Sequence, residues 1–539
     1  MRSPVTAETE RKARRPPDGT PAAVRGGRHI KETGLVDLLI VGGGINGAGI
    51  ARDAAGRGLT VLLCEKGDLA GATSSASTKL IHGGLRYLEY YQFRLVREAL
   101  AEREVLLASA PHIIWPMRFV LPHDGTLRPA WLIRLGLFLY DHIGGRKRLP
   151  GSSGIDLRHH VAGAALIPTL RKGFVYSDCW VEDSRLVVLN CMAAAENGAH
   201  ILPRTECVTA DRTDEFWSVV LRDHMTGTDR KVRARALVNA TGPWVAAFQR
   251  KQLGATTPGR VRLVKGSHIV VPRLFEHPFA YILQNADRRI VFAIPYEGAF
   301  TLIGTTDVAI DEGELDDVRI TADEIAYLCD AVNRNFRSKI DVDAIVWSYA
   351  GVRPLHDDDA ANASAVSRDY VLDLDAGDGR PPLLNVIGGK ITIYRRLAEQ
   401  AMAKLAPTLG IDDRAWTVGA PLPGGDIADA DFETFAHRFA TDHPFLPPEL
   451  SRRYARAYGT RAQAIVGGAH SLQDLGEPLG DGVYAAELEY LATKEWACTA
   501  DDVLWRRSRL GLHVARATAM RIEAWMAARR SPPAEVAIR

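Results

Sequence analysis

The stretch "VDLLIVGGGINGAGIARDAAGRGLTVLLCEK", Val36–Lys66, limits what this chain can fold into more than any other. Val36–Val41 is a short apolar run suited to a buried parallel strand, and Ile45 to about Gly56 carries small and apolar residues at helical spacing. Gly56 and Gly58 end that helix, and Thr60–Cys64 forms a second buried strand closing on Glu65. Between strand and helix lies Gly42-x-Gly44-x-x-Gly47. The first glycine permits a tight turn, the second lets backbone approach a pyrophosphate, and the third brings the helix close to the sheet. The amides at the helix start then face phosphate charge. Gly42, Gly44, Asn46 and Gly47 are therefore candidate dinucleotide contacts, and Glu65 stands where an acid accepts hydrogen bonds from ribose hydroxyls.

The rest of the chain must fit around this βαβ unit. A length of 539 residues calls for two or three domains. Strand-like runs ("ARALVNATG", "SHIVVP", "RIVFAIP", "FTLIGTTD") predict a second sheet inserted into, or packed on, the nucleotide domain. Pro and Gly cluster at Ala420–Asp426, and the pattern beyond is helical, with Thr499 and Asp502 spaced as a capping box. The predicted fold class is α/β: a Rossmann-like doubly wound domain with an interleaved β-rich domain over 34–415, and an all-helical C-terminal domain over 425–530. Residues 1–33, rich in Arg, Pro and Gly, cannot bury enough apolar surface to offset ordering entropy and are expected to be a disordered basic tail. Arg14-Arg15 there precede two prolines and no apolar run, unlike an export signal.

A formal charge of +2 gives the body of the protein no general attraction for nucleic acid. Six scattered cysteines with no Cys-x-x-Cys pair fit neither a zinc site nor a disulfide framework, so no metal is expected. No run of eighteen apolar residues exists. The nearest, "WLIRLGLFLY" (Trp131–Tyr140), reads as a partly buried helix or strand pair, with an interfacial segment as the alternative.

Two features favour FAD over NAD. "ATSSASTK" follows Glu65, and its hydroxyls (Thr73, Ser74, Ser75, Ser77) suit a loop lying along a pyrophosphate and an isoalloxazine ring. Far downstream, "LVNATGPW" is a strand ending in Ala240-Thr241-Gly242, a second small-residue approach to a dinucleotide. Next to the serine-rich loop, "TKLIHGGLRYLEYY" collects His82, Gly83, Gly84, Arg86 and Tyr87, a polar segment that packs poorly as core.

With those residues assembled, "VGGGINGAGIARDAAGRGL", "ATSSASTKLIHGGLRYLE", "YSDCWVEDSRLV", "NATGPW", "KGSHIVVP", "IGTTD", "GVRPL" and "GGKITIYRRLAE" resemble the FAD-dependent glycerol-3-phosphate dehydrogenases, in unbroken order from about residue 36 to the C-terminal helices. The basic tail departs from that pattern. The resemblance implies oxidation of sn-glycerol 3-phosphate to dihydroxyacetone phosphate, electrons passed to membrane quinone, peripheral association with the inner face of the plasma membrane, and a homodimer. Flavin takes the hydride, so the protein must orient the substrate, bind its phosphate and accept a proton. Arg and Lys with Tyr support suit a phosphate dianion. Arg86, Tyr87, Arg353, Arg368 and Lys390 are those residue types inside the matching motifs. Taken alone, Arg86 would equally pair with Glu89, and Arg368 would equally start a strand.

Histidine is the natural proton acceptor at neutral pH, and His268 is preferred over His82, which is expected near the flavin. Thr306 and Asp307 are candidate substrate-side residues, although aspartates at strand ends are as often turn formers. Gly388, Gly389, Lys390 and Thr392 bring a further strand end to the flavin, with Lys390 countering negative charge on it. The arginines after Asp502 offer contact to anionic lipid, which salt would release. Alternatives are an oxidase using oxygen, an amine or amino-acid oxidase of the same superfamily, and a non-catalytic flavin-binding or nucleic-acid-binding regulator.

Overall fold

The computed structural model describes residues 34–124, 129–255, 261–287, 289–356 and 369–530. The basic tail expected over 1–33 and the candidate Arg368 lie outside the described residues.

The initial unit forms as its pattern dictates: strand Leu35–Val41, helix Ile45–Gly56, strand Val61–Cys64. Leu38, Leu39, Ile40 and Leu62 are fully buried, as a strand covered on both faces requires. The sheet runs Val371–Asp375, Leu383–Ile387, Asp229–Asn239, Leu35–Val41, Val61–Cys64, His200–Leu202, and its last four pairings are parallel. Val41 lies opposite both Asn239 and Cys64, and Asn239 opposite Asn385. The strands therefore end together, and Gly42–Gly47, Glu65, Ala240–Gly242 and Gly388–Lys390 emerge at one sheet edge. Ligands of open α/β sheets bind at that edge.

The helix Ile45–Gly56 buries residues all round because they are small. It packs against helices Asp183–Glu196 and Tyr394–Leu409, and a Cβ on Gly49 would stand 2.8 Å from the Tyr394 ring.

A second sheet of ten strands carries the inserted region. Its long strand Val261–Pro272 pairs antiparallel with Trp347–His356 on one side and Phe300–Gly304 on the other. His268 faces Tyr349 and Gly304 in that register. "TKLIHGGLRY" contributes only a two-residue strand, Leu80–Ile81. Gly84 then turns left-handed (φ +79°) into a 3-10 turn over Leu85–Tyr90, so Gly83-Gly84 forms a turn. Trp131–Tyr140 lies within a helix, Ala130–Ile143. Only Ile133, Leu137 and Tyr140 are buried there, while Trp131 (68% exposed) and Phe138 (52%), with Leu132, Leu135 and Leu139, face outward.

The C-terminal region is helical, with helices Phe432–Asp442, Pro448–Tyr458, Ala485–Lys494 and Arg516–Arg530. Its apolar core is continuous with the core beneath the nucleotide-binding sheet, one cluster running from Leu38 and Ile50 to Leu488 and Met526. Thr499 and Asp502 form the expected reciprocal cap, the Asp502 amide donating to Thr499 Oγ1 (3.2 Å) and the Thr499 amide to Asp502 Oδ2 (3.0 Å). A wide π-helical turn follows over Asp502–Arg507. Successive residues of an α-helix do not face one partner, yet Arg506 and Arg507 both reach Asp68, at 2.6 Å each. Arg509 reaches Asp183 at 2.8 Å. Of the arginines expected to meet lipid, Arg506, Arg507 and Arg509 are thus tied to carboxylates of the nucleotide-binding half, because a buried carboxylate needs a counter-charge, whereas Arg516 and Arg521 are exposed. Among the described residues no helix is long and apolar enough to cross a membrane.

Candidate active site

Two connected cavities, of about 810 and 290 Å³, open at the strand-end edge and share Thr73 and Ser74 on their walls. The larger is lined by Gly42, Gly44, Glu65, Ala240, Thr241 and Gly242. Gly42 has φ +114°, and a Cβ there would collide with the Ala240 carbonyl oxygen; one on Gly47 would collide with the Gly42 carbonyl. Only Ser74 Oγ, at 3.2 Å, stands near a Cβ built on Gly44, which faces the cavity. Glu65 accepts from the amides of Gly43 (2.7 Å) and Gly67 (2.8 Å). Burial pushes its carboxyl above the usual range, against the pull of those two donors. Its oxygens keep lone pairs for a diol. Ser74 Oγ accepts from the Ile45 amide (3.0 Å) at the helix start, which marks that terminus as a place for an acceptor. Asn46 Nδ2 donates to the Gly388 carbonyl (3.0 Å) and ties the helix to the Gly388-Gly389 turn. This glycine cradle, with an acid at one end and Ser74 beside its middle, fits an FAD lying along the two cavities.

Several expected cofactor hydroxyls point elsewhere. Thr73 Oγ1 donates to the Val352 carbonyl (2.6 Å) and fastens the loop to the second sheet. Ser75 Oγ turns to the Ala72 carbonyl of its own turn and Ser77 Oγ to Asp183 (2.8 Å). Thr392 Oγ1 accepts from the His82 amide and donates to its carbonyl, so it clamps backbone. Gly83 donates its amide to the Tyr140 hydroxyl (2.8 Å), which donates in turn to Asp178, itself paired with Arg103. That buried chain fixes the Gly83-Gly84 turn.

The smaller cavity gathers His82, Gly84, Arg86, Tyr87, His268, Thr305, Asp307, Arg353, Gly389 and Lys390. Arg86 donates to the Tyr90 hydroxyl (3.1 Å) and lies over its ring. Lys390 Nζ stands 3.5 Å from the Tyr87 ring centre, a cation–π contact. Arg353 pairs with Asp307 and donates to Thr305 Oγ1 (3.2 Å) and the Thr306 carbonyl (3.3 Å). Asp307 is therefore the guanidinium's orienting partner; as a free contact its charge would repel a phosphate. Thr306 does not reach the cavity. Its hydroxyl is buried, donating to Glu324 (2.6 Å) and accepting from the Ser267 amide, and Thr305 lines the wall instead.

His268 is 2% exposed and stacks on Tyr349, ring centres 4.8 Å apart. Its Nε2 shares a hydrogen bond with Thr78 Oγ1 (2.9 Å). Burial, then the charges of Lys79 and Arg353, hold the imidazole pKa well below its usual value. The ring is neutral at pH 7, and it is not a group that titrates near neutrality. Sequence reasoning passed over Thr78, Thr305 and Tyr349, and also Gly266 and Gly304. A Cβ on Gly266 would strike the Arg353 guanidinium, and one on Gly304 the His268 ring. The available signal was a glycine within each of "KGSH" and "IGTTD", where a strand must admit a large neighbour.

Residues 37–395 match the family described as FAD dependent oxidoreductase, and residues 415–530 match the C-terminal domain of alpha-glycerophosphate oxidase. A D-erythritol 1-phosphate dehydrogenase of Brucella abortus is 54% identical over 499 residues, covering 92% of this chain and 98% of that protein. A glycerol-3-phosphate dehydrogenase of Pseudomonas aeruginosa is 54% identical over 488 residues, covering 90% and 94%. The crystal structure of the glycerol-3-phosphate dehydrogenase from Bacillus halodurans complexed with FAD superimposes with a TM-score of 0.74 at 27% identity, covering 92% of this chain and 91% of that one.

Proposed function

This chain belongs to the FAD-dependent glycerol-3-phosphate dehydrogenase family, and on that premise we propose that it oxidises sn-glycerol 3-phosphate to dihydroxyacetone phosphate. The observation that carries the proposal is one cavity holding two guanidinium groups (Arg86, Arg353), an ammonium (Lys390) and a neutral imidazole (His268), continuous with the cofactor cleft. FAD, held by Gly42, Gly44, Glu65 and Ala240–Gly242, would supply the acceptor for the hydride of C2. Arg353, steadied by Asp307, and Arg86 bind the phosphate, and that grip orients C2 and its hydroxyl. His268 accepts the hydroxyl proton, so charge does not build on the C2 oxygen as the hydride leaves. Lys390 offsets negative charge beside Gly389.

Anaerobic addition of glycerol 3-phosphate is expected to bleach the yellow protein without NAD, whereas glycerol, lacking the phosphate, does not. A colourless protein, or one that reduces NAD, overturns the reading. A second reading has its own support, since the Brucella relative named for D-erythritol 1-phosphate is as similar as the Pseudomonas enzyme. D-erythritol 1-phosphate added in parallel distinguishes the two by which substrate bleaches at the lower concentration.

The electron acceptor we propose is a membrane quinone, reached by peripheral attachment of a homodimer. The support is the outer stripe Trp131, Leu132, Leu135, Phe138 and Leu139, an apolar face exposed on a helix whose other face is core. The same helix carries Tyr140, bonded to Gly83 beside the cavity. With Arg506, Arg507 and Arg509 already paired, this apolar face is the main contact proposed, and salt is expected to release only part of the protein from membranes. Burying one such side chain contributes roughly 1.5–3 kcal/mol, so Trp131→Ser with Phe138→Ser should lower binding to lipid vesicles at least about tenfold. Equal flotation of wild type and double variant would exclude this face. Hydrogen peroxide formed stoichiometrically in air would favour oxygen as acceptor.

A further inference from the structure

The serine-rich loop beside the substrate cavity is wound around a buried ammonium. Lys79 Nζ donates to the Ser75 carbonyl (3.0 Å) and to both oxygens of Asp183 (2.9 and 2.8 Å). The Lys79 backbone is left-handed (φ +59°), a conformation that a residue with a side chain keeps only when its surroundings fix it. Asp183 is fully buried and also accepts from Ser77 Oγ (2.8 Å) and the Ser184 amide (2.9 Å). The Ser77 amide adds a longer bond (3.3 Å), and a further partner comes from the far end of the chain: Arg509 Nη2 donates to Asp183 Oδ1 (2.8 Å) and to Ser184 Oγ (3.2 Å), while Nη1 donates to the Trp505 carbonyl. Trp505 in turn stacks on Trp347, ring centres 4.6 Å apart.

Thr78, inside this loop, bonds His268. Tyr349 closes the arrangement. Its hydroxyl donates to the Ser77 carbonyl (2.9 Å), one face stacks on His268, and Lys79 Nζ stands 5.1 Å from its ring centre. We propose that Arg509, from the C-terminal helical region, is a positioning residue for the oxidation: through Asp183 and Lys79 it fixes the Thr78 hydroxyl, and with it the His268 ring. One guanidinium bonds the carboxylate, the Ser184 hydroxyl and the Trp505 carbonyl at once, which an ammonium on a flexible stem does not reproduce. The proposal rests on His268 as proton acceptor in the reaction above.

The test uses the full-length, FAD-loaded protein with Arg509→Lys, which keeps charge and most of the bulk, and Arg509→Met. Two quantities are measured: the limiting rate of bleaching by glycerol 3-phosphate per bound flavin, and amide hydrogen exchange of residues 75–82 without substrate. Misplaced catalytic geometry costs up to about a hundredfold. Arg509→Lys is expected to lower the limiting rate about ten- to a hundredfold, leave the half-saturating substrate concentration unchanged, and speed exchange over 75–82. If the Met variant fails to fold, the Lys variant decides alone. A wild-type limiting rate with unchanged exchange overturns the proposal, as does a loss confined to FAD content or to half-saturation. If glycerol 3-phosphate does not bleach the wild type, the functional reading fails instead, and the exchange measurement still judges the link from Arg509 to the loop.

Discussion

Gly42→Ala is expected to give a folded but nearly colourless protein. At φ +114° a side chain is strained, and its Cβ would meet the Ala240 carbonyl on the neighbouring strand end. Left-handed strain and overpacking together cost about 2–4 kcal/mol. Relief comes only by parting the two strand ends that flank the cofactor, so affinity for FAD should fall about thirty- to a thousandfold. The ratio of visible to ultraviolet absorbance after dialysis checks this, with far-ultraviolet circular dichroism to show that the fold survives. Full retention of flavin would mean that this glycine turn does not hold the pyrophosphate.

Arg353→Ala should leave the protein yellow and nearly inactive. Two charge-assisted hydrogen bonds to a phosphate contribute roughly 1.5–3 kcal/mol each, so kcat/KM for glycerol 3-phosphate should fall about a hundredfold to ten-thousandfold. Part of that loss belongs to Asp307, whose carboxylate then faces a phosphate dianion without the Arg353 guanidinium beside it. Adding Asp307→Ala to Arg353→Ala is therefore expected to recover activity, a coupling that a double-mutant cycle measures. If the double variant is worse than the single one by the full cost of Asp307→Ala alone, the two residues act independently and the orienting role is wrong.

The parts of this protein legible in its sequence are those whose physics is local. Strand, glycine turn, helix and terminal acid lie within Val36–Glu65, and hydrophobic period and glycine spacing determine them without reference to the rest. The sheet edge that assembles the cofactor cleft follows from strands ending in small residues. Illegible were contacts settled by distant segments. Lys79 meets Asp183 across 104 residues and Arg509 meets Asp183 across 326, and no spacing rule relates them. Composition alone therefore presented Arg506, Arg507 and Arg509 as surface charge. Thr305 and Thr306 differ only in which side of the chain each faces, which the order of letters in "GTTD" leaves open. Helix Ala130–Ile143 is apolar on both faces, so its period does not tell core from surface.

The Arg506–Arg507 pair on Asp68 joins one of the last helical turns to a residue just beyond the first strand pair, across 438 and 439 positions. On a ribosome the glycine turn, Glu65 and the Lys79–Asp183 pair emerge early, but the two close counter-charges of Asp68 arrive only when Arg506 and Arg507 have left the exit tunnel. Until then Asp68, which lines the larger cavity, lacks those partners, and the cleft wall there stays open to water. The part of the cleft wall around Asp68 is therefore among the last parts of the site to gain its partners. A chain that stops before Arg506 is therefore expected to hold flavin less well and to be cut more readily by proteases at the cleft.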